Sequence, residues 1–283
     1  MPSSDGTEVT VVVPAYRAAK TIAKALHSIA QQTVSPARII VVMDGHDEEM
    51  AARIDECHAQ FDKIELTVLC QEHQGAGAAR NRAIAEVRTD LVAFLDADDE
   101  WPTEKLARTV LALSEPTTVL VCHDMIVVDR NLEHRTDSGR HLRADADAYV
   151  ALFKRGFIAT STVITRTATI RDCGGFDPSL PAGQDYELWL NIAHRYPRGI
   201  AIVSEPLTRY NVLPGSITSA VWRRRICALR IAARHGPKLA IRPRGTYGVI
   251  VLRVAIISYE AAAGHWRRGY WIAAVQALSM FPL

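Results

Sequence analysis

Leu91-Val92-Ala93-Phe94-Leu95-Asp96-Ala97-Asp98-Asp99 sets five apolar residues directly before three acids within four positions. An apolar run of that length, bounded by polar residues, reads as a strand buried on both faces, the kind found in parallel sheets. Beyond it, extended backbone puts Asp96 and Asp98 on the same side, about 7 Å apart. Carboxylates so placed repel each other unless solvent or a cation offsets the charge. Hard divalent cations such as Mg²⁺ and Mn²⁺ take oxygen ligands, few from protein and the rest from substrate phosphates. The competing role is structural: Asp99 stands where it caps a helix entered through Trp101-Pro102.

Working outward, residues 9–13, 39–43 and 64–69 are further short apolar runs that read as buried strands. Between them Ile22, Leu26 and Ile29 recur at helical spacing, then Met50, Ile54 and Cys57, then Ala79, Ala83 and Val87. Strand–helix–strand units of roughly thirty residues imply right-handed crossovers and an α/β fold with a mainly parallel sheet. Ligands of such sheets gather at the carboxyl ends of the strands. Those ends carry Pro14-Ala15-Tyr16-Arg17, Asp44-Gly45-His46-Asp47 and Asp96-Ala97-Asp98-Asp99, so an aromatic ring and several carboxylates face one crevice.

Beyond Trp101 the pattern is mixed. Residues 105–113 read as a helix, 118–128 as a strand or two, 131–146 as a polar mobile loop, 149–153 as a short helix and 158–165 as a strand. Residues 185–196 form a helix with Leu188, Ile192 and Tyr196 on one face. Gly75-Ala76-Gly77-Ala78-Ala79-Arg80 has the look of a dinucleotide turn, but Arg80 stands where the third glycine belongs. It reads as a turn into a small-faced helix with Arg80 toward phosphate. The ten histidines show no metal-ligand spacing, and His73, His123 and His194 read as packing or surface residues. Five scattered cysteines suggest free thiols in a reducing cytoplasm. Residues 1–16 lack the basic start and long apolar run of a signal peptide.

Charge divides the chain. From Trp222 onward there are eleven Lys and Arg against Glu260 alone, leaving 22 basic and 30 acidic groups before it. A domain over residues 1–220 is therefore expected to precede a basic, apolar helical tail over 221–283. The apolar run 246–263 carries Arg253 and Glu260 and falls short of a membrane span. With Trp266, Arg267, Arg268, Tyr270 and Trp271 beside it, it suits an anionic headgroup layer. A peripheral position on the inner face of the cytoplasmic membrane is expected, in preference to packing on the domain. Nothing points to nucleic acid.

Three segments, Val11-Val12-Val13-Pro14-Ala15-Tyr16, Gly77-Ala78-Ala79-Arg80-Asn81 and Phe94-Leu95-Asp96-Ala97-Asp98-Asp99, together resemble the family 2 glycosyltransferases in order and spacing. Gly175-Phe176-Asp177 with Gly183-Gln184-Asp185-Tyr186-Glu187-Leu188-Trp189-Leu190 is similar to that family's acceptor-side motif. Arg209-Tyr210 and Gly215-Ser216-Ile217-Thr218 are similar to its closing segment. The resemblance, over roughly residues 8–220, implies a GT-A fold and inverting transfer of one sugar from a nucleoside diphosphate, a UDP-sugar foremost, to a lipid-linked or surface glycan. It implies Pro14, Ala15 and Tyr16 around base and ribose, Asp44 accepting from the base, and Arg80 near the diphosphate. It further implies Asp96 on ribose or sugar with Ala97 beside it, Asp98 on a Mn²⁺ or Mg²⁺ ion, and Asp185 as the base that deprotonates the acceptor. Two departures stand out: one acid at Met43-Asp44-Gly45 where the family commonly has two, and Gln184 where it often has Glu. No Gln-x-x-Arg-Trp motif of processive synthases occurs. The rival readings are a nucleotidyltransferase and a degenerate glycan-binding scaffold. The first wants a basic Gly-rich loop after the first strand, which Pro14-Ala15-Tyr16 is not.

Overall fold

Strand and helix alternate through the first half of the chain as the apolar spacing predicts. The order is β1 (Val9–Ala15), α1 (Ile22–Ala30), β2 (Arg38–Asp44), α2 (Glu48–His58), β3 (Glu65–Gln71), α3 (Ala76–Glu86), β4 (Leu91–Phe94) and α4 (Lys105–Leu113). Then follow β5 (Leu120–Asp129), β6 (Leu132–Arg135), α5 (Gly139–Ala144), α6 (Ala148–Lys154), a 3₁₀ turn (Thr160–Thr162), β7 (Ile164–Arg166), α7 (Thr167–Asp172), α8 (Gln184–Arg195) and β8 (Ile200–Asn211). Two helices close the described chain, α9 (Val221–Ala240) and α10 (Tyr247–Trp266). The structure, a computed structural model, describes residues 8–58, 61, 64–129, 132–144, 147–212, 221–242 and 247–266. The segment 215–218 and the tail residues Arg267, Arg268, Tyr270 and Trp271 lie outside the described residues.

One sheet runs β3-β2-β1-β4-β7-β5-β6, with β8 also paired to β5. β1, β2, β3 and β4 are mutually parallel, β8 is parallel to β5, and β7 and β6 run antiparallel to their neighbours. Side chains alternate across the sheet. Val12, Ile40, Val42, Val92 and Phe94 face a layer built from α3, α6, α8 and α9. Val11, Val13, Ile39, Val41 and Ala93 face α1, α2 and α4 through Ile22, Leu26, Met50 and Leu106.

The expected loop over 131–146 instead holds β6 and α5. Among the described residues β6 pairs only with β5, and it is exposed along its length, so it has no buried face to produce an apolar alternation. The strand expected over 158–165 is shortened by the 3₁₀ turn, and its paired part is β7.

The C-terminal helices pack on the domain. Ile231, Leu239, Val249 and Ile257 join the same apolar cluster as Trp189 and Phe94. Arg242 pairs with Asp147 at 2.6 Å, and Lys238 reaches Asn191 at 3.2 Å. No helix among the described residues is long and apolar enough to cross a membrane.

Candidate active site

Parallel pairing of β1 with β2 in the register Ala15↔Met43 brings the ends of the two strands side by side. Pro14 and Ala15 are buried, whereas Tyr16 beyond them is 45% exposed. Its ring stacks on His73 at 3.9 Å with 18° between planes. Asp44, 2% exposed, ends β2 and holds this corner together. It accepts from Gln71 Nε2 at 2.9 Å and from the amides of Gln74 and Gly75 at 2.8 Å each, and His73 Nδ1 lies 2.9 Å from Oδ2. Burial works against its ionisation, but the Gln74 amide, Gln71, the Gly75 amide and His73 outweigh it and hold the carboxyl below the usual range. Four donors fill the lone-pair sites of a carboxylate.

Helix α3 starts at Gly75, whose φ of +93° suits a residue without a side chain. Its buried Arg80 meets Asp96 Oδ1 at 2.5 Å and leaves Nε buried without a hydrogen-bond partner. Asn81 one residue on donates to the Phe176 carbonyl at 2.7 Å and accepts from the Phe176 amide at 2.9 Å. The helix therefore ties the Asp96 loop to the segment leading into α8.

Ala97 is buried, and the Asp98 carboxyl is pushed up to about 6 by burial and by Asp96, with Arg80 opposing. Asp99 does not cap a helix: α4 begins at Lys105, entered through Glu104. Instead Asp99 is buried, accepts from the Ser161 hydroxyl and from the Asn211 amide at 3.0 Å, and is pushed well up by burial, Asp96 and Asp98. Ser161 also accepts from the Asp96 amide at 3.1 Å, and its carbonyl accepts from Trp101 Nε1 at 2.8 Å. The acidic loop is thus pinned from below, with Asp98 left in the kind of field a cation relieves. Among the described residues no group of three or more His, Cys, Asp or Glu gathers as a metal cage. The donor set fits a cation shared with substrate phosphates better than one enclosed by protein.

Asp185 is the second residue of α8, entered through Gly183 in the left-handed region at φ +75°. Its Oδ2 accepts from the Thr160 hydroxyl at 2.9 Å and its Oδ1 from the Tyr186 amide at 2.8 Å. Gln184 beside it packs on Gly77, where an added Cβ would lie 3.0 Å from Gln184 Cγ. α8 therefore rests directly on the helix that carries Arg80. Tyr210, near the end of β8, connects the two sides. Its phenol is pushed up by burial and then by Asp99, Asp96, Asp98 and Asp185. Thr160 and Ser161, adjacent in the 3₁₀ turn, bond Asp185 on one side and Asp99 with the Asp96 amide on the other, and so bring the acidic loop and the start of α8 together.

His73, Ser161 and Tyr210 escaped the sequence reading as site residues. His73 was discoverable, because it lies two residues beyond β3 and strand ends form the crevice. Tyr210 stands in the segment that resembles the family's closing motif, without an assigned role, and Ser161 carries no local signal.

The sequence profile of glycosyl transferase family 2 matches residues 10–172, from β1 to the end of α7. The chain belongs to this family. The transferase is 34% identical over 125 residues to an uncharacterized glycosyltransferase of Nostoc sp., a match covering 44% of this chain and 38% of that protein. It is 25% identical over 225 residues to the putative teichuronic acid biosynthesis glycosyltransferase TuaG of Bacillus subtilis, covering 76% and 83%. It is 24% identical over 185 residues to the Escherichia coli UDP-Glc:α-D-GlcNAc-diphosphoundecaprenol β-1,3-glucosyltransferase WfgD, covering 65% and 69%. Its fold is that of GT-A glycosyltransferases. The mannosyltransferase PcManGT of Pyrobaculum calidifontis, solved with GDP-Man and Mn²⁺, superposes with a TM-score of 0.67 at 20% identity over 96% of this chain and 74% of that one.

Proposed function

We propose that this transferase moves one sugar from a nucleoside diphosphate, a UDP-sugar foremost, to a hydroxyl of a lipid-linked or surface glycan, inverting the anomeric centre. The observation that carries the reading is the 3₁₀ turn, where Thr160 bonds Asp185 while its neighbour Ser161 bonds Asp99 and the Asp96 amide. Inversion requires a base on the face opposite the leaving diphosphate. Asp185, oriented by Thr160 and the Tyr186 amide, takes that role. Arg80 neutralises Asp96 and brings positive charge to the diphosphate side, while Asp96 and Ala97 line the ribose and sugar. Pro14, Ala15 and Tyr16 form the base slot. Asp44 serves that slot through His73, since its own oxygens are filled by protein donors. A Mn²⁺ or Mg²⁺ ion would be held by Asp98 with diphosphate oxygens and would absorb the charge that develops on the leaving group. The named activity of WfgD and the bound GDP-Man and Mn²⁺ of PcManGT support donor, metal and lipid-linked acceptor.

An anionic membrane surface is the proposed working site. Ile226, Ile241, Tyr247, Val251, Leu252 and Tyr259 are exposed on α9, α10 and the turn between them, and Arg223, Arg224 and Arg230 are exposed on α9. Flotation with vesicles of varied anionic content tests this: binding should grow with anionic lipid and weaken with salt. The catalytic reading is tested with UDP-, GDP- and dTDP-sugars, with and without chelator, on wild type and Asp185→Asn. Asp185→Asn should keep donor affinity and lose transfer by at least ~100-fold, the scale for a lost general base. A collapse of donor affinity instead would move Asp185 into the nucleotide pocket.

A further inference from the structure

The first turn of α8 has two sides. Its inner side rests on the cleft through Gln184 on Gly77 and Thr160 on Asp185. Its outer side rests on the C-terminal helices. Ile231 of α9 is fully buried, with Cδ1 only 3.2 Å from where a Cβ on Gly183 would lie. One turn further, Arg234 reaches Asp177 at 2.6 Å and Glu187 at 3.7 Å. His235, wholly buried, stands 3.3 Å from Glu187 Oε2, an ion-pair distance without hydrogen-bond alignment. The Nδ1 of the same ring meets the Tyr149 hydroxyl at 2.8 Å. From α10, Arg253 is 6% exposed and lies 5.0 Å from the centroid of the Tyr186 ring. Tyr186 in turn donates to the Phe153 carbonyl at 3.1 Å, and its hydroxyl is pushed up to about 12, chiefly by burial.

Residues 183, 186 and 187, on both sides of Asp185, are therefore each held by a side chain from the tail. Apolar packing alone would join these helices. Burying an arginine and a histidine at the joint costs free energy that leucines would not. What the polar groups add is direction, since a cation over a ring and a charged pair fix orientation where an apolar contact permits sliding. The geometry points to a positioning role. Ile231, His235 and Arg253 aim the Asp185 carboxylate at the acceptor hydroxyl, so the C-terminal helices belong to the catalytic apparatus. The inference rests on Asp185 being the base. A general base works only within hydrogen-bond reach of its proton, and a displacement of about 1 Å costs about 100-fold in rate.

A double-mutant cycle decides it. Arg253→Met, Arg253→Lys and the isosteric Glu187→Gln are each made alone and combined with Asp185→Asn. Transfer kcat, donor KM, UDP affinity and the melting midpoint are measured for every variant. Arg253→Met should lower kcat by about 10- to 100-fold while donor KM and UDP affinity stay within about two-fold. Arg253→Lys should restore most of the rate. In the Asp185→Asn background Arg253→Met should lower the residual rate by less than about two-fold, because the group being aimed is already gone. Equal losses in both backgrounds, or a kcat loss matched by lost UDP affinity, overturn the positioning role alone. Should Arg253→Met melt too early to assay, Glu187→Gln carries the same test without a cavity. If Asp185→Asn by itself transfers at the wild-type rate, the base assignment falls, and this proposal with it.

Discussion

The two margins of the cleft draw their supports from different parts of the chain. On the donor side, Asp44 draws its partners from residues 71–75, just beyond the strand paired to its own, and Asp96 meets Arg80 sixteen residues upstream. Those contacts close within one or two strand–helix units, although Ser161 and Asn211 reach the Asp96–Asp99 loop from farther along the chain. On the acceptor side Asp185 takes its hydroxyl partner from Thr160, and its flanks lean on Ile231, His235 and Arg253. The family profile covers the donor margin and stops at residue 172, before α8 begins. The corner built from local units, around Asp44, keeps its geometry wherever the sheet forms. A margin built from distant segments has its geometry only once the whole chain has packed.

The largest break in this comparison comes from deleting residues 221–283. Ile231, Leu239, Val249 and Ile257 would leave the cluster around Trp189, each worth about 1.5–3 kcal/mol of burial. Their sum competes with a domain stability of about 5–15 kcal/mol, so the shortened protein should aggregate or melt far below the full chain. Calorimetry and size exclusion measure it. A shortened protein that stays folded and transfers at full rate would return both margins to the same footing.

Next in size is Asp98→Asn. Losing the carboxylate proposed to hold the metal against the diphosphate should cut transfer by about 10³-fold, the upper scale for one electrostatic stabiliser. The melting midpoint should hold or rise, because burial and Asp96 disfavour that charge in the folded protein. Rate assays beside differential scanning fluorimetry read both numbers. A fall in stability would mean that Asp98 is structural.

His73→Ala sharpens the donor side. Removing the ring stacked on Tyr16 should raise donor KM by about 2- to 10-fold, the equivalent of one aromatic pair, with kcat nearly unchanged. Equal loss in kcat would place His73 nearer the reacting atoms.

The smallest effect is on acid stability and involves β5, which pairs with β8 beyond the donor strands. Burial, with Lys105 assisting, pushes the His123 imidazole down to about 3. The unfolded state therefore takes a proton near pH 6.5 that the folded state refuses. Stability conferred by the neutral ring is present above that pH and is lost as pH falls toward 3, on the order of 1 kcal/mol per pH unit. His123→Asn should flatten that decline in urea titrations between pH 6 and 4. An unchanged slope would place the acid sensitivity elsewhere.

The sequence alone determined the donor half. Apolar runs of five or six residues, helical spacing between them and acids at their carboxyl ends are local patterns, and local patterns follow from backbone geometry. The parallel order of β1 to β4, the placing of Tyr16, Asp44, Arg80, Asp96 and Asp98 at one crevice, and the membership of Asp185 in a helix all stood in the linear text. Tertiary structure decided the rest. Asp99 looked like a cap because its neighbours are polar, yet Ser161 and Asn211 claim it from far along the chain. Asp44 looked free for a nucleotide base, but the turn after β3 folds back and fills its oxygens. Composition marks the basic tail as a whole, and cannot tell an arginine exposed on α9 from Arg253 lying over Tyr186. In each case the deciding partner is distant in sequence, and only the closing of the core brings it within hydrogen-bond or van der Waals reach.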